Sequence, residues 1–233
     1  MAWKVFVYGA LLTIMLGVAA TFLGDKGHFL IWLTQYRNPV TDGYFYYVTR
    51  LGEEYGFIVI GLMLWLRSWR KMIVIPSLGL AVMLVSFLLK KVFFVVWPLL
   101  YLKRMGWDGP MAVMDYHLLT GHASFQMMDY HLLTGHASFP SGHSMAAWAL
   151  FTLTAGMVRK TWVSVLCLVL AVSVSLSRVY LMAHFLRDVV AGAAIGFAIG
   201  YAFLYAYERF MKSRQLEETF GPVSETDMAE KGQ

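Results

Sequence analysis

The sequence predicts an all-α protein, a polytopic membrane bundle of six transmembrane helices, on three observations. Of its 233 residues 59% are hydrophobic and 14% charged, with a mean hydropathy of +0.59, too apolar for a soluble domain of this length. The apolar residues collect into six runs near the roughly 20 residues a bilayer demands, because backbone groups inside hydrocarbon must pair within their own segment. Between the runs, Lys and Arg cluster on one side, whereas the loops on the other mix Lys26, Arg37, Arg50, Lys103 and Arg104 with seven acids.

The first run, about 5 to 23, follows Lys4. That charge, the apolar core and the small residues from Gly17 to Ala20 also fit a secretory signal, but the run continues through Phe22 and Leu23 and reads as an uncleaved anchor. The second, about 55 to 69, is short and begins beside Glu53 and Glu54. The third, about 72 to 89, ends at Lys90 and Lys91, and the fourth, about 143 to 158, starts at a Pro-Ser-Gly-His stretch. The fifth, about 162 to 177, holds the lone Cys167, so one chain offers no disulfide and no thiolate metal site. The sixth, about 188 to 207, carries Gly192, Gly196 and Gly200 four residues apart, a spacing that lets helices approach closely and is assigned to packing against the fourth run. Trp3, Trp65, Trp69, Trp97, Trp107 and Trp162 lie near run ends, as interfacial anchors do.

Six spans put both termini on one side. Arg67, Arg70, Lys71, Arg159, Lys160, Arg209, Lys212 and Arg214 share it with Lys4, so it is expected to be cytoplasmic. The net charge of +5 is then a matter of anionic lipid headgroups, not nucleic acid. Outward loops are expected at about 24 to 54, 99 to 142 and 178 to 187, within one domain over 1–210; residues 211–233 read as a polar, disordered cytoplasmic tail.

The loop 99–142 says MDYHLLTGHASF twice, at 114–125 and 128–139, without a difference. Perfect identity over so short a span, occurring once, reads as a recent local duplication and not as a repeat architecture. A metal site on His117, His122, His131 and His136 is the functional alternative; imidazoles five residues apart diverge on a helix, and no metal is expected. Only the second copy abuts Pro140, and lengthening a long loop costs little, roughly 0.6 kcal/mol per doubling.

The ionisable residues in or beside the runs are candidates for function, and Lys90, Lys91, His143, Arg178, His184, Arg187 and Asp188 all come out near the outer face. Ser141 is placed to cap the fourth helix, whose N-terminus, with about half a positive charge, suits phosphate; Ser141, Gly142 and His143 line it. His184 and Asp188 are four apart and share a helix face if the last helix begins there. Asp188 then orients one imidazole nitrogen and leaves the other as a nucleophile, with Arg178 as a bidentate donor to phosphate. Lys90 is either a snorkelling side chain or a point charge on an anionic substrate.

These stretches resemble, in order and spacing, the three-part signature of the type 2 phosphatidic acid phosphatase family of membrane lipid phosphatases. The second part is complete as Pro140, Ser141, Gly142 and His143, the third as Ser177, Arg178, His184 and Asp188. The first, Lys, six residues, Arg-Pro, has Lys90 and Pro98 but Trp97 in place of the arginine. Either Arg104 or Lys103 then supplies the missing charge, or the phosphate is held with one cation fewer. The resemblance implies a six-span fold with an outward active site and no cofactor. It implies hydrolysis of a lipid phosphate or diphosphate through a phosphohistidine on His184, oriented by Asp188. Lys90, Arg178, Ser141 and the Gly142 amide would hold the phosphate, and His143 would protonate the leaving group. It implies a bacterial inner, or plasma, membrane protein, monomer or homodimer, facing the periplasm or exterior. Phosphotransfer to a lipid acceptor, and a noncatalytic protein binding lipid phosphate, are the alternatives.

Overall fold

The computed structural model describes residues 2–24, 27–66, 74–93, 98–106 and 138–220. These are helical, with no strand among them: α1 (Ala2–Ala20), α2 (His28–Thr34), α3 (Pro39–Thr49), a 3₁₀ turn (Arg50–Gly52), α4 (Glu54–Trp65), α5 (Val74–Val92), α6 (Pro98–Arg104), α7 (Gly142–Val158), α8 (Thr161–Tyr180) and α9 (Leu186–Phe220). The described part of each of the six apolar runs falls largely on a helix. By length and composition α1, α5, α8 and the Leu186–Arg214 part of α9 are able to cross a membrane. The 12 residues of α4 and the 17 of α7 are shorter than that. Four helices of spanning length are therefore found among the described residues, where six spans are expected.

The outward stretch expected as loop at 24–54 carries two helices. Asn38 starts α3 with a reciprocal cap: its Oδ1 accepts from the Val40 and Thr41 amides, each at 3.0 Å, and Thr41 Oγ1 accepts from the Asn38 amide at 3.1 Å. Pro39 at the first helical position loses no bond it would otherwise make. At the other end of the chain, α9 continues past Met211 to Phe220, into the segment read as a tail.

The core centres on α7, buried on every side from Ser144 to Gly156, as a helix apolar all round must be. It is surrounded by α1, α4, α5, α8 and α9, most extensively by α9. Three glycines explain that contact. A Cβ on Gly192 would lie 2.5 Å from the Ser141 carbonyl oxygen, one on Gly196 2.2 Å from that of Met145, and one on Gly200 2.5 Å from that of Ala149. Backbone meets backbone one helical turn at a time, which only glycine permits. Phe6 of α1 is buried against Trp148 and Phe197, each ring at 6.5 Å, and closes the junction of α1, α7 and α9. Outward, Leu12, Met15 and Leu16 of α1, Met83, Leu84 and Leu88 of α5, and Val165 and Val169 of α8 are exposed, an apolar belt that water would not tolerate and lipid would.

Hydrogen bonds fix α3 across α8. Tyr44 donates to Ser173 Oγ at 2.8 Å, and Tyr180 donates to Asp42 at 2.5 Å, whose carboxylate also pairs with Arg37 at 3.2 Å. The chain leaving α3 is thereby delivered to the N-terminal end of α7.

Candidate active site

Two segments far apart in sequence meet at that end. Ahead of α7, Ser141 caps the helix as expected, its buried hydroxyl accepting from the Ser144 amide at 3.4 Å. Gly142 faces α5: a Cβ there would lie 3.2 Å from Ser86 Oγ and 4.0 Å from Lys90 Nζ. Lys90 is thus turned to the head of α7, while Lys91 is exposed and lies over the Phe87 ring at 4.4 Å. Of the two lysines, Lys91 is the exposed one.

Between α8 and α9 the chain doubles back. Met182 takes the left-handed conformation, φ 53°, and the Arg178 carbonyl then accepts both the Ala183 amide at 3.0 Å and the His184 amide at 3.1 Å. This curl sets His184 beside Arg178. His184 lies on the turn before α9 and Asp188 in its first turn, with Nδ1 and Oδ2 3.9 Å apart and both side chains buried. Oδ2 also accepts from the Phe185 amide at 3.1 Å and from the Ser138 hydroxyl. Burial drives the His184 imidazole down to about 4, helped by the positive charge of Arg178 and Lys90 and opposed by Asp188. The ring is therefore neutral at physiological pH, the form with a free lone pair.

The two segments are joined by backbone: the Ser141 amide donates to the Asp188 carbonyl oxygen at 3.0 Å. Lys90, Ser141, Gly142, His143, Arg178, His184 and Asp188 so converge on one end of the bundle. Arg104, expected as a substitute cation, is exposed at the end of α6. Trp97, the side chain of Lys103 and residues 114–137 lie outside the described residues. Among those described, no three His, Cys, Asp or Glu side chains are grouped as a metal ion would need.

Three contributors escape a reading by spacing. Ser138 belongs to the second copy of the duplicated phrase, and its place two residues ahead of Pro140 is the signal that it is part of the site. Thr49 ends α3 and accepts from Arg178 Nη1 at 2.9 Å; Arg178 Nε is buried without a partner among the described residues. Glu53, noted in the sequence only as an acid beside a short run, reaches His143 Nε2 with Oε1 at 2.9 Å. The hydrogen bond from His143, with positive charge on His143, Arg178 and Arg50, holds the Glu53 carboxyl below its ordinary value against an opposing effect of burial.

A family model, that of the PAP2 superfamily, matches residues 70–212. The chain belongs to the PAP2 superfamily. Its fold is similar to a crystal structure described as the first transmembrane PAP2 type phosphatidylglycerolphosphate phosphatase from Bacillus subtilis, with a TM-score of 0.59 and 21% identity over 86% of this chain and 94% of that one. Comparison with curated proteins finds no match. As a PAP2 protein with apolar spanning helices, the chain is an integral membrane protein. The matched PAP2 segment contains every residue from Lys90 to Asp188 described above, whereas Thr49 and Glu53 come from the third of the chain ahead of it.

Proposed function

We propose that this PAP2 protein is a metal-independent phosphatase that removes phosphate from a lipid phosphate or diphosphate at the outer surface of a bacterial plasma membrane, with its termini in the cytoplasm. The reading rests on the junction of the Ser141 amide with the Asp188 carbonyl, which brings the heads of α7 and α9 together with Lys90 and Arg178 around them.

The neutral His184 ring attacks phosphorus with Nε2, its Nδ1 side facing Asp188. A P–N bond forms as the P–O bond to the lipid, or to the inner phosphate of a lipid diphosphate, breaks; the electron pair goes to the leaving oxygen, which takes a proton from His143. Lys90, Arg178, the Ser141 hydroxyl and the Gly142 amide carry the charge developing on the other oxygens, the interaction that usually supplies most of the rate. Water then attacks the phosphohistidine and gives His143 its proton, the P–N pair returns to His184, and inorganic phosphate leaves. The positive charge needed comes from side chains, so a chelator is expected to leave turnover unchanged. The scissile group lies at headgroup depth on helices that cross the bilayer, which favours lipid substrates over soluble esters.

Phosphate release from the detergent-solubilised protein, on lipid phosphates headed by phosphatidylglycerolphosphate, is the test. Release by the wild type and none by His184→Ala supports the proposal; equal silence from both, with lipid still bound, makes the protein a noncatalytic binder.

A further inference from the structure

Glu53 is the N-cap of α4 but makes no side-chain bond to the helix it begins, although a carboxylate at that position has free amides to accept from. It turns instead to His143 Nε2, 2.9 Å away. The turn that carries it is seated firmly: the Glu53 amide bonds the Arg50 carbonyl at 3.1 Å, and Gly52 packs so closely that a Cβ would lie 2.8 Å from the His143 carbonyl oxygen and 2.9 Å from Val174 Cγ1. Four residues earlier Thr49 receives Arg178. One short segment, 49–53, therefore touches two of the side chains assigned above to phosphate chemistry.

We propose that Glu53 is a positioning residue for His143, holding its ring and favouring the proton that it gives to the leaving oxygen. The inference rests on the phosphatase reading. Burial, Arg178 on α8 and Lys90 on α5 all disfavour the charged form of the His143 ring, and Glu53 is the carboxylate that opposes them; Arg50 acts on Glu53, and His184, Asp188 and Arg187, which pairs with Asp188, lie at the head of α9. A carboxylate on Nε2 holds one N–H of the imidazolium and leaves the other for the leaving oxygen. When the P–O bond breaks, the electron pair moves to that oxygen, the proton follows from His143, and the neutral ring stays bonded to Glu53, ready to accept the proton of the attacking water.

The consequence is selective. An alkoxide, the leaving group of a lipid phosphomonoester, needs the proton; p-nitrophenolate hardly does. Positioned proton donation is worth about 10² to 10⁴ in rate. In the purified full chain, Glu53→Gln is expected to lower kcat/KM for a lipid phosphomonoester at least tenfold more than for p-nitrophenyl phosphate. It is also expected to move the alkaline limb of the lipid profile to lower pH, with Glu53→Asp recovering part of the loss. Equal losses on the two substrates, no loss, or a gain from removing the carboxylate overturns the proposal. His184→Ala on the same substrates tests the phosphatase reading separately, since it removes both activities. A ¹³C-histidine NMR titration reads the pair without turnover: the His143 signal is expected to titrate at lower pH in Glu53→Gln than in wild type, and an unchanged midpoint overturns the role.

Discussion

The Ser141 amide and the Asp188 carbonyl oxygen, 47 positions apart in sequence, are hydrogen-bonded at 3.0 Å. Because that bond lies between backbones, the separation of His143 from His184 depends on how α7 and α9 seat against each other, and only secondarily on side-chain rotamers.

The seating is testable at the glycines. A methyl group on Gly196 would press on the Met145 carbonyl at 2.2 Å, whereas nothing lies within 4 Å of one on Gly43 of α3. Gly196→Ala is expected to destabilise by about 1–3 kcal/mol, as overpacking does, and to lower turnover. Gly43→Ala is expected to stabilise by up to about 1 kcal/mol through helix propensity. Thermal unfolding in detergent compares the two.

The duplicated phrase supplies a second prediction. Ser138, in the second copy, donates to Asp188, which is wholly buried. Removing a partner from a buried acceptor costs about 1–3 kcal/mol, so Ser138→Ala is expected to lower kcat/KM roughly tenfold. Deletion of 114–127 keeps Ser138 two residues ahead of Pro140 and is expected to leave turnover nearly unchanged. A total loss on deletion would give the first copy a role of its own.

How much of this was open to a reader of the sequence depends on distance along the chain. Pro140 to His143, and Arg178 with His184 and Asp188, are legible because each is a local pattern: a cap before an apolar run, and a spacing of one helical turn. The glycines of α9 are legible because four-residue spacing has a single geometric meaning on a helix. Glu53 and Thr49 carry no local mark; they reach His143 and Arg178 only because Tyr44 and Tyr180 hold α3 against α8. The cap of α3 was present in Asn38, Pro39 and Thr41, but a reading that looks for spans passes over an 11-residue amphipathic helix lying outside them. The extension of α9 beyond Met211 was hidden for the opposite reason, since its polar residues are good helix formers as well as solvent-loving ones.

Acidity gives a third prediction. The His184 ring, held down to about 4 chiefly by burial, loses its nucleophilic lone pair only when protonated below that value. The acid limb of kcat/KM, corrected for ionisation of the substrate, is expected near pH 4, and not near the ordinary imidazole value of about 6.5. A profile falling through pH 6.5 on the acid side would mean that a solvated histidine is the nucleophile.

The central claim is that His184 takes the phosphoryl group, and it is tested most directly by quenching the enzyme during turnover of a ³²P-labelled lipid phosphate and mapping the label. The account predicts an acid-labile, base-stable label on His184 that is absent from His184→Ala. Label on any other residue, or undiminished turnover by His184→Ala, would contradict it.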